Sequence, residues 1–222
     1  MNKFEILNCV LALLPPLAGL KNYRYLRRDL RLLLLLLSMA FLVDFTGLTF
    51  GLFGWNVYWA FHLYAPIEFS ILVYIFYLWL KDLTWSRFIL FLIPAYVVFS
   101  ILNTLFLTEI DKINYMPISL SYFIYTAASS LLLYRYRTSN KDLRHMLRDS
   151  YFWIYSAILV FSSGSLCYFA FYELVSKHIL YLVWYFHIIM NISGNVLFTI
   201  GFLCQGRQLE SSGDSLSRHL YY

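Results

Sequence analysis

Of the 222 residues, 61% are hydrophobic and only 13% are charged, with 20 Phe and 20 Tyr among them. A soluble domain carries roughly 25% charged residues, so this composition excludes an ordinary soluble fold and points to an all-α polytopic membrane protein. The net charge of +5 does not imply a nucleic-acid partner. The basic residues sit in short loops between apolar runs, with no basic face and no nucleic-acid-binding motif.

A bilayer core about 30 Å thick needs about 20 apolar residues per helix. Seven runs meet this length, near 4–20, 32–53, 57–80, 86–107, 114–135, 151–172 and 178–204. They predict a seven-helix transmembrane domain over 1–204, followed by a short cytoplasmic tail, 205–222. The first run is the shortest. It holds Asn8 and Cys9, and Pro15-Pro16 puts its inner end in question.

The second run carries Asp44 near its middle, on one face with Ala40, Gly47 and Gly51. Small residues at this spacing allow helices to approach closely, so the glycine pair predicts packing within the bundle beside Asp44. Dimerisation through that face is the other reading.

The third run contains the stretch FHLYAPIEFS, residues 61–70, in which His62, Pro66 and Glu68 interrupt an apolar segment. Pro66 has no N–H for the carbonyl four residues back, which predicts a kink. Tyr64 and Glu68 share a helical face. His62 and Glu68 lie about 120° apart, so only a kinked helix would present both to one interior.

The fourth run adds Asn103, the fifth Ser119, Tyr122 and Thr126, and the sixth Ser162, Ser163 and Ser165. The seventh carries a stripe at four-residue spacing: His187, Asn191, Asn195 and Thr199. Such spacing drifts only slowly around one face. Trp55, Trp59, Trp79, Trp85 and Trp153 read as interfacial anchors, and Trp184, deeper, as core packing, with lining of the cavity as the other reading. Cys9, Cys167 and Cys204 show neither a disulfide framework nor a paired zinc motif.

The loops after runs one, three, five and seven hold 14 of the 17 basic residues; the other side holds Lys3, Lys112 and Lys177. The positive-inside rule then places the N-terminus outside and the C-terminus in the cytoplasm of a plasma (inner) membrane. Lys3 before a short apolar stretch resembles a signal peptide. The five basic residues within 21–31 argue against cleavage, which would leave them on the translocated side.

By helical rise, Asp44, Glu68 and Asn191 lie near the midplane, with His187 and His62 nearer the outer surface. A charge at the bilayer centre costs about 2.5–3.5 kcal/mol on insertion scales. Such residues therefore face the bundle interior or a wet cavity. The layer predicts an outward-opening polar cavity whose ligand-binding candidates are Asp44, His62, Glu68, His187, Asn191 and Asn195. Simple hydrogen-bonded packing is the plainer alternative.

The same residues leave other chemistry open. His62 and His187 with Asp44 or Glu68 would make a three-ligand zinc set with an open position, though no His pair falls at i, i+4. Asp44, Glu68, His62 and His187 are likewise the candidates for acid–base catalysis.

Seven helices in this orientation resemble microbial rhodopsins in topology. Those hold retinal on a lysine deep in the last helix, and 178–204 has none, so retinal is not expected. The topology is also similar to the ceramidase and progestin/adiponectin-receptor superfamily of membrane hydrolases, which place histidines, an aspartate and a serine around zinc. Their HxxxH in the last helix corresponds here to His187-Ile188-Ile189-Met190-Asn191, without the second histidine. The segment HLYAPIEF resembles bacterial seven-helix membrane proteins of uncharacterised function, a likeness that implies a bacterial membrane and no activity.

The sequence thus predicts a multi-pass membrane protein in contact with the lipid bilayer. It binds or senses a small or lipid-like ligand and acts through a protein partner on its basic inner loops. An intramembrane lipid hydrolase and a proton-coupled transporter are the rivals.

Overall fold

The structure is a computed structural model that describes residues 3–139, 142–172 and 174–219. Lys141, one of the 14 basic loop residues counted above, and tail residues 220–222 fall outside them. Among the described residues the chain is helical without strands. Seven segments are long and apolar enough to cross a membrane, from Phe4–Lys21 to His178–Gly206.

The first segment is two helices, α1 (Lys3–Ala12) and α2 (Leu14–Lys21). Pro15 and Pro16 cause the break. Neither has an N–H for the turn before it, and proline is tolerated only in the first turn of a helix, where α2 places them. A 3₁₀ turn, Tyr23–Tyr25, leads to α3 (Arg28–Leu52), which starts earlier than the apolar run because Asp29 and Leu30 are already buried.

Next come α4 (Tyr58–Leu80), α5 (Ser86–Phe106) and α6 (Tyr115–Ser139). Pro66 lies inside α4 without ending it, and Ser70 Oγ donates to the Pro66 carbonyl at 2.7 Å. The short α7 (Leu143–Arg148) and α8 (Ser150–Phe171) are capped by aspartates. Asp142 accepts from Arg144 N and Asp149 from Tyr151 N, both at 2.9 Å. These side chains satisfy amides that have no partner within their own helix. Finally α9 (Lys177–His219) continues well past the apolar run, so the segment assigned to a tail begins as an extension of the last helix.

The helices close a ring. α3 packs on α4, α4 on α6, α6 on α8, α8 on α9, and α9 returns to α3 through α1 and α2; α5 lies outside it against α4 and α6. The end at which α1 begins, with the 53–57, 107–114 and 172–176 connections, is the rim here; the other end is the base.

The base is solidly filled. Leu30, Leu33, Phe69, Val73, Ile75, Phe76, Tyr125, Ile154, Ile158 and Phe202 are almost wholly buried in one cluster. Gly201 lets α8 and α9 meet closely: a Cβ there would stand 2.7 Å from Ile154 Cγ1 and 3.3 Å from the Ser150 carbonyl. Large apolar side chains such as Val10, Leu42, Phe88, Phe91, Phe123 and Leu182 face outward, where lipid would cover them.

The described carboxylates at the base are paired, although Tyr125 OH and Ser150 Oγ are buried without a partner. Asp29 Oδ2 accepts from Trp79 Nε1 and from Tyr151 OH, both at 2.7 Å, with Arg27 Nε 3.8 Å from its other oxygen. Asn22 Nδ2 donates to the carbonyls of Ala18 and Phe202, tying α2 to α9. Arg135 grips Asp82 at 2.6 Å, and Tyr136 OH donates to Asp149 at 2.6 Å.

Candidate functional site: a rim-side cavity

Helix α3 packs tightly only along its first half. Its buried residues end at Leu36, and from Leu37 to Leu52 none is buried. The ring therefore loosens toward the rim and leaves a cavity of about 800 Å³. That lies within the range of roughly 300–1,000 Å³ of small-molecule sites. Residues of α1, α3, α4, α6, α8 and α9 line it, and α5 contributes none.

Most predicted site residues meet here. Asp44 from α3, Glu68 from α4, and His187, Asn191 and Asn195 from α9 all line the cavity, with Tyr64 and Tyr122. Asp44 and Glu68 stand within electrostatic reach of one another. Neither has a hydrogen bond or ion pair to any described residue, in contrast with the carboxylates of the base.

Along α9, Asn195 Nδ2 donates to Asn191 Oδ1 at 3.3 Å, and Thr199 Oγ1 turns back to the Asn195 carbonyl. The His187 ring stacks on Tyr168, with centroids 5.4 Å apart, and its Nδ1 lies 3.3 Å from Ser165 Oγ. The wall thus presents a fixed imidazole edge and a pair of carboxamides.

His62 is elsewhere. It is buried outside the cavity wall, with Nδ1 2.8 Å from Thr104 Oγ1 and Nε2 2.9 Å from the Lys112 carbonyl. Asn103 joins the same rim network, donating to Thr108 Oγ1 at 3.0 Å and to Asn114 Oδ1. Glu68 and His62 lie on different faces of α4, and the helix does not bring both to one interior. The zinc set of His62, His187, Asp44 and Glu68 is therefore not assembled. Among the described residues no three His, Cys, Asp or Glu side chains form a metal-ligating group.

The glycine pair also corrects the expectation. A Cβ on Gly51 would meet nothing within 4 Å, and one on Gly47 would reach only Val57 Cγ2 at 4.0 Å. Both residues line the cavity. They make room beside Asp44 and pack against no helix.

Among the wall residues not singled out as such in the sequence are two of the first helix, Glu5 and Cys9, and Trp184 takes the second of its two readings, lining the cavity. Asn8, beside them, has its Oδ1 buried and unpartnered. The signal for Glu5 was available: Glu5, Asn8, Cys9 and Ala12 repeat at three- and four-residue spacing, one face of a helix. Neither family models, nor curated proteins, nor solved structures match this chain.

Proposed function

We propose that this protein is a multi-pass protein of a bacterial-type plasma membrane that binds or senses a small or lipid-like ligand in the rim-side cavity. The observation that carries the reading is the contrast between the two ends of the bundle. Carboxylates at the base are matched with donors or cations, whereas Asp44 and Glu68 face an 800 Å³ space without a protein partner. Ionisable groups within a membrane are costly and are kept where they contact a partner, a substrate or an ion.

The distribution of basic residues supports a rim that faces outside and a base at the cytoplasm. On this orientation the cavity opens to the outer side or the outer leaflet. The basic loops and the extension of α9 are then the surfaces offered to a cytoplasmic partner.

Native mass spectrometry of protein extracted in mild detergent tests the reading. A retained organic ligand, lost in Glu68→Gln while the melting temperature holds, supports it. Protein that carries none and binds no member of a lipid and metabolite panel refutes it. A proton-coupled carrier draws on the same two carboxyls, and it predicts uptake into proteoliposomes whose pH dependence Glu68→Gln flattens.

The hydrolase reading has less support, because its imidazole pair is split. Ser165, the hydroxyl beside His187, is fully buried and is not part of the cavity wall.

A further inference from the structure

The cavity wall is one-sided in charge. Among the described residues Glu5, Asp44 and Glu68 line it and no lysine or arginine does, and Glu5 is itself engaged by another group. Among the described residues the carboxyls of Asp44 and Glu68 have no partner and Asn8 Oδ1 is buried without one, while the wall also carries donors, among them the Tyr64 hydroxyl and Asn191 Nδ2. Both residues are half-buried. The hydroxyls on the wall, Tyr58, Tyr64, Ser121, Tyr122 and Tyr168, donate to neither. Elsewhere this chain supplies donors to an enclosed carboxylate, as Trp79 and Tyr151 do for Asp29.

Whatever enters therefore meets two carboxyls that have no protein partner, with no basic side chain on the described wall. An anion would find no lysine or arginine on the described wall to offset the two carboxyls. A neutral alcohol has a single O–H for two carboxyls. A bare metal ion would require several oxygen ligands at close range and would leave the apolar wall of Leu33, Leu36, Leu37, Leu48, Leu72 and Phe198 unused. An ammonium offers two or three N–H donors together with the charge, and charge-assisted hydrogen bonds are about twice as strong as neutral ones. The aromatic faces of Tyr64 and Trp184, also on the wall, suit a cation as well.

We propose that the ligand is a cationic amphiphile, a protonated primary or secondary amine on an alkyl chain, with its ammonium between Asp44 and Glu68 and its chain along the leucines. This rests on the ligand-binding reading and narrows it to one headgroup chemistry.

The test uses the full chain in phosphatidylcholine nanodiscs and follows its tryptophan fluorescence, with empty nanodiscs as the blank. Dodecylamine, dodecanol and dodecanoate are added at equal mole fraction of lipid. The expected order is amine first, with the other two at least tenfold weaker. Asp44→Asn and Glu68→Gln should each weaken the amine at least tenfold and leave dodecanol unchanged.

Equal binding of the three probes to wild-type protein overturns the cationic assignment while leaving the cavity a binding site. So does amine binding that neither substitution alters. Absence of binding by all three overturns both readings. The comparison of headgroups needs no variant, so a substitution that fails to fold does not rescue the proposal.

Discussion

Gly47 and Gly201 look alike in the sequence, each a glycine within a long apolar helix, yet the structure predicts opposite responses to a single methyl group. At Gly47 the added Cβ meets only Val57 Cγ2 at 4.0 Å, an ordinary van der Waals contact. The substitution Gly47→Ala then acts chiefly through helix propensity, where alanine is favoured by about 0.8–1.0 kcal/mol. At Gly201 the new Cβ would stand 2.7 Å from Ile154 Cγ1. Ile154 has no exposed surface, so it has nowhere to swing. Overpacking of this kind typically costs about 1–3 kcal/mol. The same propensity gain offsets part of that, leaving Gly201→Ala destabilised by up to about 2 kcal/mol.

Thermal unfolding in detergent, followed by near-ultraviolet signal and by size-exclusion elution, should show Gly47→Ala at or above wild type with the same elution volume. Gly201→Ala should melt several degrees lower. If Gly47→Ala melts lower, or elutes as a smaller species, the glycine pair packs against a helix or a second copy. The account of α3 as loosely held beside the cavity would then be wrong.

Three further outcomes follow from the same geometry. Replacing Asp29 with alanine removes a charged acceptor from two donors, and hydrogen bonds to charged groups contribute about 1.5–3 kcal/mol each. A double-mutant cycle with Trp79→Phe should show clear coupling, and additive effects would refute the clamp. His62→Ala should speed hydrogen exchange in the 107–114 connection while leaving ligand affinity within about threefold, whereas His187→Ala should change affinity; the reverse pattern would put His62 back in the cavity.

The third outcome concerns pH. The hydrogen bond from Arg135 holds the Asp82 carboxyl below its ordinary value of 3.8. A carboxyl depressed in the folded state stabilises above its unfolded value and loses that contribution as pH falls through the folded one. The small difference in melting temperature between wild type and Asp82→Asn should therefore persist at neutral pH and vanish only below about 4. Because the pair is exposed, added salt should shrink the difference too.

The seven segments were legible in the sequence because bilayer-length apolar runs are long and strongly patterned. Asp44, Glu68 and the α9 stripe were legible as well, since a polar residue in such a run needs a polar or wet neighbourhood. His62 was placed wrongly because its partners, Thr104 at the end of α5 and the carbonyl of Lys112 in the loop that follows, come from a return over α4 that leaves no periodic trace. The glycine pair misled for a related reason. Small residues at four-residue spacing mark a thin helix face, but whether another helix or a cavity fills the space depends on how α3 diverges from α4. Asp29 was missed because the apolar run begins three residues later. Its burial comes from Trp79 and Tyr151 reaching it from two other helices, contacts that are distant along the chain.

Helix α9 carries His187, Asn191 and Asn195 on the cavity wall and then continues as one helix to His219. At 1.5 Å per residue, the stretch from Asn191 to the helix end is about 42 Å long. Such a rod is stiff in torsion, because every turn is hydrogen-bonded to the next. A few degrees of rotation imposed at the carboxamide pair would therefore arrive at the far end as the same rotation. If the proposed ligand binds in the cavity, α9 is a continuous element joining the cavity wall to the far side of the base.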